Sequence, residues 1–312
     1  MKVERYKSAS ALLRKIFGRR VQKISIDAGF TCPNRDGRLG YGGCTYCINS
    51  SFTPYYVSKR RSITDQLREG IEFFSRKYKT WKYIAYFQAY SNTYASVDVL
   101  RQRYEEALSY PGVIGLDIAT RPDCVDEDIL DYLAELSSKT FVMIEYGVES
   151  TLDRTLERVN RLHTYDQAAW AISETARRGI LQSVHLILGL PGETRDDMLL
   201  HARRISALPV NILKLHQLQI LRGTRMARDY AEHPEEYPLF ETVEAYVDFV
   251  VDFLELLRPD IYIDRFTNES PPDTVIAPHW GGVKNFEVVH KIEHALEKHG
   301  TWQGRRYRSN KQ

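Results

Sequence analysis

Short runs rich in β-branched and aromatic residues alternate with amphipathic stretches over roughly 200 residues, and this rhythm constrains the chain more than anything else in it. The expected strands are Val21–Ile26, Tyr83–Gln88, Gly115–Thr120, Phe141–Val148, Ser183–Leu190 and Asn211–Gln219. Between them lie helical patterns at Ile63–Tyr78, Val97–Tyr110, Asp126–Lys139, Tyr165–Arg178 and Thr194–Leu208. Thr194 with Asp197 three residues on reads as a helix start of capping-box type, and Gly179 reads as a helix stop. Strands alternating with helices imply βαβ units and a parallel sheet. Near-continuous apolar runs such as VHLILGL fit strands buried on both faces.

Six such units make a partial (β/α)6 barrel, short of the eight that close a complete one. Past residue 220 the rhythm changes to a long apolar helix (Thr242–Leu257), a strand-like Ile261–Phe266 and a last helix (Phe286–His299). The expected organisation is a basic N-terminal segment (1–20), a barrel (21–220) and a C-terminal α+β extension (221–312) packed on it.

Hydrophobic residues at 43% of 312 exclude a disordered chain. No apolar run approaches the roughly 18 residues of a membrane span, and the first twenty residues lack a secretory core. The expectation is a cytoplasmic protein. Its formal charge of +2 is unevenly spread: residues 1–23 hold eight cations against one anion, and the last twelve add four more cations. Basic ends on an acidic body suit phosphate contact, although charged termini are also ordinary solvated surface. The rings of Tyr6, Phe17, Trp302 and Tyr307 among these charges favour nucleic acid, since bases stack on them.

Three of the four cysteines crowd the loop after the first strand, Cys32, Cys44 and Cys47, with eleven and two residues in the gaps. Gly37, Gly40, Gly42 and Gly43 let that loop turn around something compact. Three thiolates can hold three irons of a 4Fe–4S cube and leave the fourth iron for another ligand. A structural zinc would need a fourth ligand from far away, because no His or Cys recurs before Cys124. Cys124 itself reads as a small semi-buried residue. Lys214 and His216 alternate with apolar residues on the sixth strand, so both can face the barrel interior and act on substrate.

This cysteine loop, with Tyr46 before its last cysteine and six βα units, resembles the radical S-adenosylmethionine superfamily. The wide first gap is similar to the branch of the Elongator catalytic subunit and oxygen-independent coproporphyrinogen oxidase. KISIDAGFTCPNRDG…GGCTYC, YFQAYSNTYA, ATRPDCV, EYGVES, VHLILGLPGET and PHWGGVKN together resemble the YtqA/YhcC-like proteins. The likeness runs from about residue 6 to nearly the C-terminus.

The resemblance implies a 4Fe–4S cluster on Cys32, Cys44 and Cys47 whose open iron chelates S-adenosylmethionine. Reductive cleavage then gives a 5′-deoxyadenosyl radical that abstracts hydrogen from a C–H bond. It implies that the segment Gln88 to Asn92, including Ser91, meets the methionine amino group, largely through backbone. Glu149 and Arg161 match ribose and carboxylate contacts, and the backbone near Ile187 lies against adenine. His185 stands where relatives carry an acid, and Ala119 where some carry glutamate. His279, Trp280 and Lys284 are candidates to cover the substrate, although Trp280 suits a core position. The branch implies tRNA as partner and the wobble uridine as target, with 5-carboxymethylaminomethyl converted to 5-aminomethyl. It also implies an electron donor such as flavodoxin or ferredoxin. A small-molecule or peptide substrate is the alternative, and a zinc-stabilised RNA-binding protein a third reading.

Overall fold

A computed structural model describes residues 4–48, 53–76 and 82–308. Lys2, Lys311 and the end of the helix expected through Tyr78 lie outside them. The chain begins with α1 (Ala9–Phe17) and β1 (Gln22–Ile26), then α2 (Ile63–Ser75), β2 (Tyr83–Phe87), α3 (Val97–Leu108) and β3 (Val113–Thr120). It continues through α4 (Glu127–Ser137), β4 (Phe141–Glu149), α5 (Asp153–Arg158), α6 (Tyr165–Arg177), β5 (Leu181–Leu188), α7 (Arg195–Ser206) and β6 (Ile212–Gln217). The remainder is β7 (Ile220–Leu221), α8 (Arg225–Glu232), α9 (Val243–Leu256), β8 (Tyr262–Arg265), β9 (Val275–Ala277) and α10 (Asn285–Lys298).

Seven strands form one parallel sheet in the order β1-β2-β3-β4-β5-β6-β8, a curled half-barrel with helices outside. The expected six strands are there, and the extension supplies a seventh. α9 runs back along the barrel, so Tyr262 pairs with Ile212 and β6–α9–β8 repeats the βαβ unit. Local pattern identifies Ile261–Phe266 as a strand but does not say which sheet it joins. The expected sixth strand ends early at Gln217. Leu218 donates its N–H to Leu188 O, and Ile220 and Leu221 turn away to pair with β9.

Local signals explain the helix ends. Thr194 and Asp197 form a reciprocal capping box at α7, and Gly179 (φ 72°) ends α6 in the left-handed region that glycine adopts freely. α9 buries Tyr246, Phe249, Phe253 and Leu254 against the barrel. The amphipathic α1 closes the N-terminal ends of the strands, because Ala9 and Leu12 pack with Phe141, Met143, Leu181, Ile212 and Tyr262. We call this end the foot and the opposite, C-terminal ends of the strands the mouth. Among the described residues no helix is long and apolar enough to cross a membrane.

Candidate cluster and cofactor site at the barrel mouth

β1 delivers the chain to the mouth, where the loop from Asp27 to Cys47 folds back on itself. Backbone N–H groups of Arg35 and Asp36 donate to Cys32 O, and Cys47 N donates to Cys44 O. Cys32 and Cys44 are buried and Cys47 is half-buried. Two guanidiniums face the sulfurs: Arg35 Nη2 lies 3.6 Å from Cys47 Sγ, and Arg161 Nη1 lies 3.6 Å from Cys44 Sγ. Burial and the neighbouring Cys44 push the Cys47 thiol up, and Arg35 and Arg161 oppose this, favouring the thiolate that metals require.

The donor set fits an iron–sulfur cube better than a single ion. A tetrahedral zinc with Zn–S near 2.3 Å draws its sulfurs to about 3.8 Å from one another. Among the described residues the three sulfurs do not gather within 4.8 Å as a set. The surroundings also hold polar atoms with no partner: Arg35 Nε and Asn92 Oδ1 are buried without a hydrogen bond. Asn92 spends its Nδ2 on Phe87 O and Ala119 O, so its oxygen is left for a further ligand.

Two of the expected cofactor residues, Ser91 and Arg161, reach this loop directly. Ser91 N donates to Thr31 O, and Gln88 N donates to Ile26 O, which ties the end of β2 to the cysteine loop. Arg161 is the hub. Its Nη2 donates to Gly147 O at 2.6 Å and stands 3.7 Å from Glu149 Oε1, and its Nε meets His163 Nε2 at 3.0 Å. Glu149 itself sits at φ 68°, an uncommon conformation for a non-glycine residue. Gly147 makes room for both: a Cβ there would come within 2.5 Å of Glu149 Oε1 and 2.7 Å of Arg161 Nη2. Ile187 is half-buried, and in the strand register it lies beside His216.

Below the mouth the inward side chains form a charged layer. Glu145 on β4 is at its centre, fully buried. Lys214 Nζ lies 2.9 Å from both of its oxygens, Lys23 Nζ 3.1 Å from Oε1, and Tyr86 Oη (2.8 Å) and His185 Nε2 (3.1 Å) both reach Oε2. Burial alone would raise the carboxyl, but Lys214, Lys23 and His185 hold it well below the usual carboxylate range. Asp117 on β3 pairs with Lys23 at 2.5 Å, yet burial and the Glu145 charge push it up to about 8. The difference follows from the cations, since Lys214 is bonded to Glu145, not Asp117. Lys214 also lies 3.4 Å from Asp264 of β8.

His185 thus bonds a buried glutamate, and His216 lies beside it with the ring centroids 5.6 Å apart and the planes tilted by 37°. Burial, with His185, Arg265 and Lys214 nearby, holds His216 well below its ordinary value, and its Nε2 has no partner. A neutral imidazole with an uncommitted nitrogen can accept or donate a proton on a bound substrate. Cys124 is buried outside the sulfur trio, its thiol pushed up to about 12 by burial and Asp123. Trp280 is half-buried, packs at a tilt against Tyr246 and donates Nε1 to Phe240 O at 2.8 Å, while His279 is exposed.

Sequence reasoning missed Lys23, Asp117, Glu145 and Asp264. The available signal was a carboxylate inside an otherwise apolar strand, as in GLDIAT and FVMIEYG. It also missed a buried brace between the turns after β4 and β5. Ser150 Oγ donates to Glu193 Oε1 (2.6 Å), His201 Nε2 meets Glu193 Oε2 (3.2 Å), and His201 Nδ1 meets Thr151 Oγ1 (2.8 Å).

The family model described as the radical SAM superfamily matches residues 32–205, and the radical SAM C-terminal domain matches 210–298. The uncharacterized protein YtqA of Bacillus subtilis (strain 168) is 37% identical over 97% of this chain and 92% of its own. A tRNA uridine(34) acetyltransferase of Methanocaldococcus jannaschii is 24% identical over 60% of this chain and 33% of its own. In fold, the chain is similar to an N-terminally deleted Elp3 of Methanocaldococcus infernus, with a TM-score of 0.67 and 15% identity over 91% of this chain and 64% of that one. Enzymes of the matched superfamily bind a 4Fe–4S cluster and S-adenosylmethionine. The chain therefore belongs to the radical SAM superfamily, in the branch that includes YtqA, and it is a radical SAM enzyme.

Proposed function

We propose that this enzyme modifies the wobble uridine of tRNA, converting a 5-carboxymethylaminomethyl side chain to 5-aminomethyl. The methylene would be oxidised by two electrons at the expense of S-adenosylmethionine, and water would break the C–N bond to release the two-carbon fragment as glyoxylate. In this reading Cys32, Cys44 and Cys47 hold the cluster, with Arg35 and Arg161 donating N–H groups to the sulfurs of Cys47 and Cys44. When bound, the cluster and S-adenosylmethionine supply a radical able to take hydrogen from an unactivated C–H bond. The chain's own part is placement and charge. Arg161 and Glu149 would hold the polar end and ribose of the cofactor, and Gln88, Ser91 and Asn92 would meet its methionine amino group. The backbone near Ile187 would lie against the cofactor's adenine, with His185, two residues before it on β5, held on Glu145.

Lys214 and His216 face the lumen beneath, where the substrate side chain enters. The observation that carries the substrate reading is the lumen chemistry: Arg265, beside the Glu145-bound Lys214 in the strand register, and the neutral His216 with its unpartnered Nε2 suit a carboxylate-bearing amine. The partial likeness to a tRNA uridine(34) acetyltransferase and the basic termini support RNA as its carrier. Flavodoxin or ferredoxin is the class of electron donor this chemistry calls for.

The test is anaerobic reconstitution with bulk tRNA from cells lacking this protein, followed by nucleoside analysis. Loss of 5-carboxymethylaminomethyluridine with gain of the 5-aminomethyl nucleoside supports the reading. Release of 5′-deoxyadenosine only with a small molecule or peptide would shift it to that substrate class.

A further inference from the structure

The two basic termini, far apart in sequence, meet at the foot of the barrel. Gln303 N donates to Arg5 O, Gln303 Oε1 accepts from Lys7 N at 3.0 Å, and Arg5 Nη1 donates to Thr301 O at 3.0 Å. From there the chain runs over the ends of α7 and α9, with Gly304 N on Leu254 O and Arg306 N on Glu255 O. This closes a cavity of about 650 Å³ lined by Arg203, Arg305, Arg306, Tyr307 and Arg308.

Four guanidiniums around one cavity are costly unless an anion enters, because like charges repel. Their internal compensation is partial. Arg306 faces Glu255 at 3.2 Å and Asp252 at 3.6 Å, and Asp252 is shared with Arg195. Arg305 spreads over the exposed ring of Trp302 at 5.5 Å. Arg203 and Arg308 are exposed at the rim. Guanidinium forks match phosphate oxygens, and a half-exposed indole under an arginine suits a nucleotide chain.

We propose that this foot cavity binds backbone phosphates of the RNA whose modified nucleotide enters the mouth. The inference rests on the proposed function. Arg203 lies in the last turn of α7, the end away from the mouth, and an eight-residue strand such as β5 is about 26 Å long. The ligand must therefore span the barrel's depth, less than one turn of a nucleic-acid duplex at about 34 Å. An acidic redox protein fits this place poorly, because it would dock at the end remote from the cysteine loop. The exposed Arg14, Lys15 and Arg19 of α1 and the turn after it extend the same basic face.

The experiment compares the wild-type holoenzyme with Arg203→Gln/Arg308→Gln, titrating labelled bulk tRNA and a short anticodon oligonucleotide across salt concentrations. The expected result is weaker tRNA binding with a log–log salt slope shallower by about 2, one for each lost phosphate contact. Binding of the short oligonucleotide and RNA-independent release of 5′-deoxyadenosine stay unchanged, which also reports that the variant is folded. Wild-type and variant curves that coincide for tRNA overturn the cavity's role and leave the proposed function standing. Wild-type protein that binds neither RNA would sink the RNA reading itself, and this inference with it.

Discussion

The ammonium of Lys214 sits 2.9 Å from each carboxylate oxygen of Glu145, with the glutamate fully buried and the lysine nearly so. Two charges are thereby fixed from β4 and β6, the strands on either side of β5, and Lys23 adds a second cation on the same carboxylate. Such a pair is weak evidence for stability, but it leaves an expensive charge behind when one partner goes.

Lys214→Met should cost roughly 3 kcal/mol in denaturant unfolding of the anaerobic holoprotein, because the buried carboxylate loses its closest cation. The double change Lys214→Met with Glu145→Leu should recover most of that loss. A single variant as stable as wild type would show that Lys23 and Tyr86 suffice for Glu145.

Replacing any of Cys32, Cys44 or Cys47 with alanine should abolish iron and sulfide incorporation, whereas Cys124→Ala should retain about four irons per chain. Elemental analysis after anaerobic reconstitution checks this. Zinc rather than iron in the wild type would contradict the assignment.

Gly147→Ala should weaken S-adenosylmethionine binding about tenfold while leaving the iron content intact. The added methyl would displace Glu149 and Arg161, which crowd that position. Equilibrium binding to the reconstituted protein reads the effect, and an unchanged affinity would remove Glu149 and Arg161 from the cofactor's contacts.

The pH response follows from Asp117, raised from 3.8 to about 8 by burial and Glu145. Between those two values the folded chain holds a proton that the unfolded chain has released. Its contribution to stability is therefore full below about pH 4 and lost as pH rises through about 8. Asp117→Asn should flatten this decline. Melting temperatures of the two proteins at about pH 5 and about pH 8 measure it, and parallel slopes would place the titration elsewhere.

Much of the architecture was legible because each βα unit announces itself locally. β4 and β5 read as apolar runs, and the caps at Thr194 and Gly179 do what their residue types dictate. The seventh strand was visible as a strand but not as part of the barrel, because its pairing with β6 depends on the path of α9. The cysteine trio stood out through spacing and glycines. The lumen charges did not: Lys23, Asp117, Glu145 and Asp264 come from four strands, and only the curl of the sheet brings them together. The Ser150–Glu193–His201 brace was hidden for the same reason.

Mass spectrometry of reactions combining the dithionite-reduced holoenzyme, S-adenosylmethionine and tRNA bearing 5-carboxymethylaminomethyluridine tests the central claim most directly. The account predicts 5′-deoxyadenosine together with a 5-aminomethyl nucleoside, both lost in Cys44→Ala. Intact tRNA beside ongoing cleavage of S-adenosylmethionine would contradict the RNA assignment, and no cleavage under any condition would contradict the radical chemistry.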